Sequence, residues 1–133
     1  MAGMEGRARE LFEQGANFVA IATRDTAGKP RLVVIWADLE DGHIAVNSAE
    51  GRQWPENVRR EPEVAMVVVN RESPYEYAEI LGRVVEDTHD GADDHIDRLA
   101  KKYLGVDEYP GRQEGEQRVK FLIEPERIRV HGS

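Results

Sequence analysis

Apolar residues fall in short runs along most of the chain, and the runs are separated by breaks rich in glycine, proline and aspartate. Residues Phe18 to Thr23 are almost wholly apolar, as in a strand covered on both faces. Asp25 to Gly28 supplies a turn, Arg31 to Asp38 returns as a second strand, Glu40-Asp41-Gly42 turns again, and Ile44 to Asn47 is a third strand. This order predicts a β meander. Val64 to Val69 reads as a fourth strand, fully buried by its composition. Tyr75 to Glu86 is longer, and its mid-strand Gly82 predicts a bulge or barrel corner. Val119 to Ile123 and Ile128 to Val130 end the chain as two strands with a turn at Pro125 between them.

Three segments carry helical spacing instead. Gly3 to Gln14, closed by Gly15, sets Leu11 and Phe12 on one face. Pro55 suits the first turn of a short basic helix that runs to Arg60 or Glu61 before Pro62 stops it. Beyond a cap at Asp90 or Asp93, the apolar positions Ile96, Leu99, Ala100, Tyr103 and Leu104 recur at helical intervals until Gly105. Val106 to Gly115 is charged and predicts a mobile loop. Six to seven strands with two to three helices give a mainly β, α+β chain, a closed or split antiparallel barrel in a single domain spanning residues 1–133.

Composition narrows the classes. A chain of 133 residues, 40% hydrophobic, suits one core. With no cysteine there are no disulfides, thiolate metal sites or thiol nucleophiles. The opening MAGMEGRARELFEQG lacks the apolar run of a signal peptide, and no stretch approaches the roughly 18 apolar residues of a membrane span. A cytoplasmic protein with no membrane partner is expected. The net charge of −8 argues against a nucleic-acid surface. Positive charge is nonetheless local, at Lys29, Arg31, Arg52, Arg59 and Arg60, which allows a small anionic ligand.

Candidate chemistry concentrates between His43 and Val69. Strand, Gly51-Arg52 turn, helix and strand can present backbone N–H groups and arginines to an anion at a helix start, which singles out Ser48, Gly51, Arg52 and Asn57. The spacing alone is equally that of an ordinary connection. Trp36 suits either core packing or contact with a ligand ring. Trp54, at a polar helix start, suits stacking on a ring or closing a pocket better than core packing. In the string Asp93, Asp94, His95, Asp97, the two outer aspartates share a helix face and His95 points elsewhere, so the group reads as a solvated face and no metal site is expected. His43, His89 and His131 lack the neighbours of a zinc or serine hydrolase. Tyr75 and Tyr77 lie on one side of a strand, suited to cross-strand packing or to donating a hydrogen bond to a substrate.

The segment HIAVNSAEGRQWPENVRREPEVAMVVV, with NFVAIATRDTAGKPRLVVIWAD before it and SPYEYAEILGRVVED, DDHIDRLAKKYLG and RVKFLIEPERIRV after it, resembles the split-β-barrel flavin and deazaflavin oxidoreductases of the pyridoxamine-phosphate-oxidase-like superfamily. The nearest likeness is to the branch that uses the deazaflavin coenzyme F420, and it runs from about Leu11 to Val130. The resemblance implies a homodimer with two cofactor sites at the subunit seam and hydride transfer from reduced F420 to a conjugated organic acceptor. It implies cofactor contacts from Val34, Ile35, Trp36, Ser48, Gly51, Arg52, Gln53, Trp54 and Asn57, and substrate contacts from Tyr75 and Tyr77. No side chain need act as a nucleophile, and none is assigned as catalytic. An FMN-binding oxidoreductase and a non-catalytic carrier of a flavin, haem or tetrapyrrole are the alternatives. Two departures bear on the cofactor. Where members commonly have a Lys, a small residue and an Arg, this chain has Trp54, Pro55 and Glu56. Where they often have Thr-Pro before Val-Trp, it has Val33-Val34 before Ile35-Trp36.

Overall fold

A computed structural model describes residues 4–132. Three helices, α1 (Gly6–Glu13), α2 (Gln53–Arg60) and α3 (Ala92–Leu104), accompany seven strands: β1 (Phe18–Arg24), β2 (Pro30–Ile35), β3 (Ala37–Glu40), β4 (His43–Ala49), β5 (Glu63–Val69), β6 (Tyr77–Thr88) and β7 (Arg118–His131). All neighbouring strands pair antiparallel, in the order β2-β1-β5-β6-β7-β4-β3. The two edge strands, β2 and β3, are separated only by Trp36, so the sheet curls until its ends meet through the chain itself. This is a split barrel.

Alternation along each strand builds the core. Val19 and Ile21, Ile44 and Val46, Val64, Met66 and Val68, Ala78 and Ile80, and Val119, Phe121 and Ile123 all point inward, the period-two consequence of the pleat. Leu11 and Phe12 of α1 and Val58 of α2 join the same cluster. Lys102 near the end of α3 donates to the carbonyls of Phe12 and Ala37, tying α3 to α1 and β3, and burial pushes its pKa down.

Several boundaries differ from those the sequence predicts, each for a local reason. The predicted second strand breaks in two, because Trp36 leaves the sheet to stack on Tyr103 of α3, with ring centroids 5.3 Å apart and planes at 8°. The predicted turn at Pro125 is not a turn, and β7 runs unbroken. Pro125 sits opposite Gly82, where the β6–β7 register slips: Leu81 pairs with Arg127 and Gly82 with Pro125, so Glu126 is the extra residue and the proline lies beside a bulge in its own strand. A Cβ on Gly82 would lie 2.8 Å from Ile123 Cγ2 and 2.9 Å from the Glu124 carbonyl oxygen. Helix α3 is capped by Gly91 in the left-handed region rather than by Asp90 or Asp93, and Gly105 closes it by donating to Lys101 O. The predicted start of α1 at Gly3 lies outside the described residues.

The strands expected to be covered on both faces are covered on one. Phe18, Leu32, Val34 and Leu81 turn outward and are 54%, 73%, 76% and 48% exposed. Leu32, Ala22, Ala65 and Leu81 are successive partners across β2, β1, β5 and β6, so they form a row on this outer face. Among the described residues, no helix is long and apolar enough to cross a membrane.

Candidate functional site

Where β2 turns into β3, the start of α2, one flank of α3 and the beginning of β7 surround a cleft of about 480 Å3. Val33, Val34, Ile35 and Trp36 form one wall, and Arg52, Gln53 and Trp54 a second. Ile96 and Leu99 from α3, Asn47 from β4, Arg118 from β7 and Tyr109 from the intervening loop complete it.

The anion-binding turn is less basic than its sequence suggests. Gly51 takes φ 96°, a conformation glycine adopts without strain, and so lets the chain swing from β4 into α2. No side chain caps α2. Arg52 at its start is exposed, and its guanidinium has no hydrogen-bond or ion-pair partner among the described residues. Arg59, by contrast, is committed to Glu50, Glu56 and Asp87 at 2.7–2.8 Å. That pairing, with His89 also on Glu50, pulls the Glu50 carboxyl down to about 2. Arg60 donates to Arg24 O and Asn57 Oδ1. Of the helix arginines expected to face an anion, neither Arg59 nor Arg60 is open to one.

Trp54 corrects the sequence reading most plainly. It is 8% exposed, belongs to the core cluster and packs on Phe121 with centroids 5.3 Å apart, because the tight turn at Gly51 rolls the start of α2 onto the barrel mouth. One part of it still lines the cleft. Asn57 is fully buried: its amide donates to Thr23 Oγ1 at 3.1 Å and accepts from Gln53 Nε2 at 2.9 Å, fastening α2 to β1 outside the cleft. Ser48 is likewise buried and its Oγ has no partner. Thus Val34, Ile35, Trp36, Arg52, Gln53 and Trp54 come together, whereas Ser48, Gly51 and Asn57 do not line the cleft. Tyr75 is 89% exposed ahead of β6, and Tyr77 stacks on His131 at 4.6 Å, so neither reaches it.

A polar chain beneath α3 supplies what the sequence does not reveal. His95, expected on a solvated face, is fully buried, because the flank of α3 carrying Ala92, Ile96 and Leu99 packs on the sheet and takes His95 with it. Arg118 Nε donates to Asn47 Oδ1 at 2.9 Å, Asn47 Nδ2 lies 2.9 Å from Ala92 O and 3.1 Å from His95 Nδ1, and His95 Nε2 lies 2.8 Å from Asp38 Oδ1. Burial favours a raised pKa for Asp38, but hydrogen bonds from His95 and Arg98 outweigh it and hold the carboxyl below its ordinary range. The loop expected to be mobile is tied down. Tyr109 N–H donates to Asp97 Oδ1, and Arg112 bridges Asp93 and Asp97. Tyr109 stands edge-on to Trp36 at 6.0 Å and covers the Arg118 guanidinium at 5.1 Å. The signals for these residues were faint: Arg118 and Lys120 alternate with apolar positions, and one aromatic interrupts a charged loop.

Among the described residues the lining has no Ser, Cys, His, Lys or carboxylate; it consists of aromatic and aliphatic walls, two amides and two arginines. Such a surface can bind and orient a planar anion but has no nucleophile or general base of ordinary reactivity.

Comparison with known proteins agrees with this architecture. A family profile described as pyridoxamine 5'-phosphate oxidase matches residues 4–132. A solved structure titled F420 Reductase superposes with a TM-score of 0.79 at 24% identity, covering 95% of this chain and 98% of that one. A conserved hypothetical protein from Mycobacterium tuberculosis superposes with a TM-score of 0.70 at 20% identity over 97% and 86% of the two chains. General Stress Protein 26 from Bacillus anthracis does so with 0.67 at 18% over 95% of each. No curated protein matches. Identities this low make the structural likenesses evidence of fold alone, while the profile spans nearly every residue from the first turn to the last strand: the chain belongs to the pyridoxamine 5'-phosphate oxidase family.

Proposed function

We propose that this protein is a cytoplasmic, homodimeric oxidoreductase that uses coenzyme F420 to transfer a hydride to a conjugated organic acceptor. The observation that carries the reading is the cleft itself, which offers planar walls and arginines but no reactive side chain. Its volume of about 480 Å3 lies within the range of about 300–1,000 Å3 usual for small-molecule sites. When bound, the deazaflavin supplies the hydride chemistry. Trp36, Tyr109, Ile35 and Val34 would hold the ring and exclude water, and Arg52 would meet the anionic tail.

The choice of F420 over FMN rests on the start of α2. With Arg59 held by three carboxylates, Arg52 is the one unpaired cation there among the described residues, a weak cradle for a compact phosphate monoester. The outer face supports the dimer, because the exposed Phe18, Leu32, Val34 and Leu81 call for a partner. Purification in the absence of added cofactor tests the pair of readings: a colourless protein that quenches on adding F420 supports this one, and a yellow protein with bound FMN refutes it.

A further inference from the structure

We infer that Arg118 reads the anionic edge of the planar ligand in this cleft, and that Asn47 is the positioning residue that aims it; in naming a flavin-like ring as the ligand the inference rests on the function proposed above. A guanidinium has five N–H groups. In Arg118, Nε is taken by Asn47 Oδ1 and NH1 donates to Glu116 Oε1 at 3.1 Å, which leaves three N–H groups with no protein acceptor among the described residues. The side chain is only 3% exposed, so bulk water cannot freely satisfy them. What accessibility they keep opens on the cleft, where a ligand accepting from them replaces the little water that reaches them.

The fork is held from three sides. Tyr109 covers one face, Glu116 takes one nitrogen, and Asn47 fixes Nε. The orientation of the Asn47 amide is itself determined. Its oxygen faces Arg118, so its nitrogen must donate to Ala92 O and His95 Nδ1, and His95 is left to donate from Nε2 to Asp38. Donors therefore run one way, from Arg118 through Asn47 and His95 to Asp38. From Arg118 Nε to Asp38 each link is paired, which makes the chain rigid. Such a fork recognises a carboxylate or an imide-like edge lying in its own plane, for which two parallel N–H groups are suited. Glu116, 3.1 Å from NH1, offsets part of the charge, so recognition depends on aimed donors as well. This is a second anion anchor, separate from Arg52 at the start of α2, and both arginines line the cleft.

A ring-matched pair of probes isolates the charge: 4-nitrobenzoate and 4-nitrobenzamide, titrated against tryptophan fluorescence, since both tryptophans of the chain line the cleft. The wild type should bind the carboxylate about tenfold more tightly than the amide, the usual worth of a charge-assisted hydrogen bond. Arg118→Gln should abolish the preference, and Arg118→Lys should retain part of it. Asn47→Ala should reduce it although the arginine is intact. Glu116→Gln should enlarge it, a sign that a merely structural role for Arg118 does not produce. Equal affinity for both probes in the wild type, or an undiminished preference in Arg118→Gln, overturns the inference, as does equal loss of both probes in Arg118→Gln. F420 is titrated alongside. If the probe preference follows Arg118 while F420 fails to bind, the anchor stands and the cofactor reading falls.

Discussion

Replacing Leu32 and Leu81 together by aspartate should dissociate the proposed dimer without unfolding the subunit. The two residues end one outward row across four strands, they are 73% and 48% exposed in the single chain, and neither lines the cleft. Burying a leucine side chain fully is worth about 1.5–3 kcal/mol. About half to three quarters of each remains to be buried, and a two-fold seam counts each residue twice, so in the proposed dimer the wild-type pair would contribute at least about 4 kcal/mol. Loss of that term alone raises the dissociation constant about a thousandfold, and four introduced carboxylates facing one another add to it. Sedimentation velocity across a concentration series measures the shift, and circular dichroism with thermal melting shows that the subunit still folds. An unchanged dissociation constant in a folded variant would refute the placement of the seam. A wild type that is monomeric at micromolar concentration and binds cofactor normally would refute the shared site.

Arg52→Ala should weaken F420 binding by about 1.5 kcal/mol, roughly tenfold, and leave thermal stability unchanged; calorimetric titration and melting read the two separately. Gly82→Ala should cost about 1–3 kcal/mol of stability, because its Cβ meets backbone and Ile123 at under 3 Å; denaturant melts showing less than half of that would mean the strands part easily at the bulge. Acid should destabilise the fold over a defined window. Glu50 and Glu76 are held near 2 against an ordinary 4.5, chiefly by Arg59 and Arg7, and Asp38 and Glu40 are also depressed. Folded-state values below unfolded ones mean that this contribution is complete above pH 4.5 and is lost as pH falls towards 2. Melting temperature should therefore drop steeply in that interval, whereas a flat profile would contradict the pairing.

What the sequence made legible follows from what local pattern encodes. Period-two alternation, the turn signals and Gly82 sufficed for the barrel, and Gly105 for the end of α3. Pro125 misled because a proline beside a bulge in its own strand resembles a turn when the partner strand is unknown. Trp54 misled because polar neighbours at a helix start do not reveal which way the turn before it rolls the helix. His95 sits in a run of aspartates that hides its burial, since the decisive contacts, Asn47 and Asp38, are 48 and 57 residues away in sequence. Arg118 and Tyr109 enter the cleft only through tertiary packing. The resemblance pointed to the wall from Val34 to Trp36 and the start of α2, and the fold brings the two to one cleft because each is a continuous segment.

The most direct test of the account is a tryptophan-fluorescence titration of the apo-protein with F420 beside FMN. Trp36 and Trp54 both line the cleft, so occupancy is read where the ligand is proposed to lie. Saturable quenching by F420, tighter than by FMN and weakened in Arg52→Ala and Arg118→Gln, is the predicted result. Tighter binding of FMN, or no saturable quenching by F420, would contradict it.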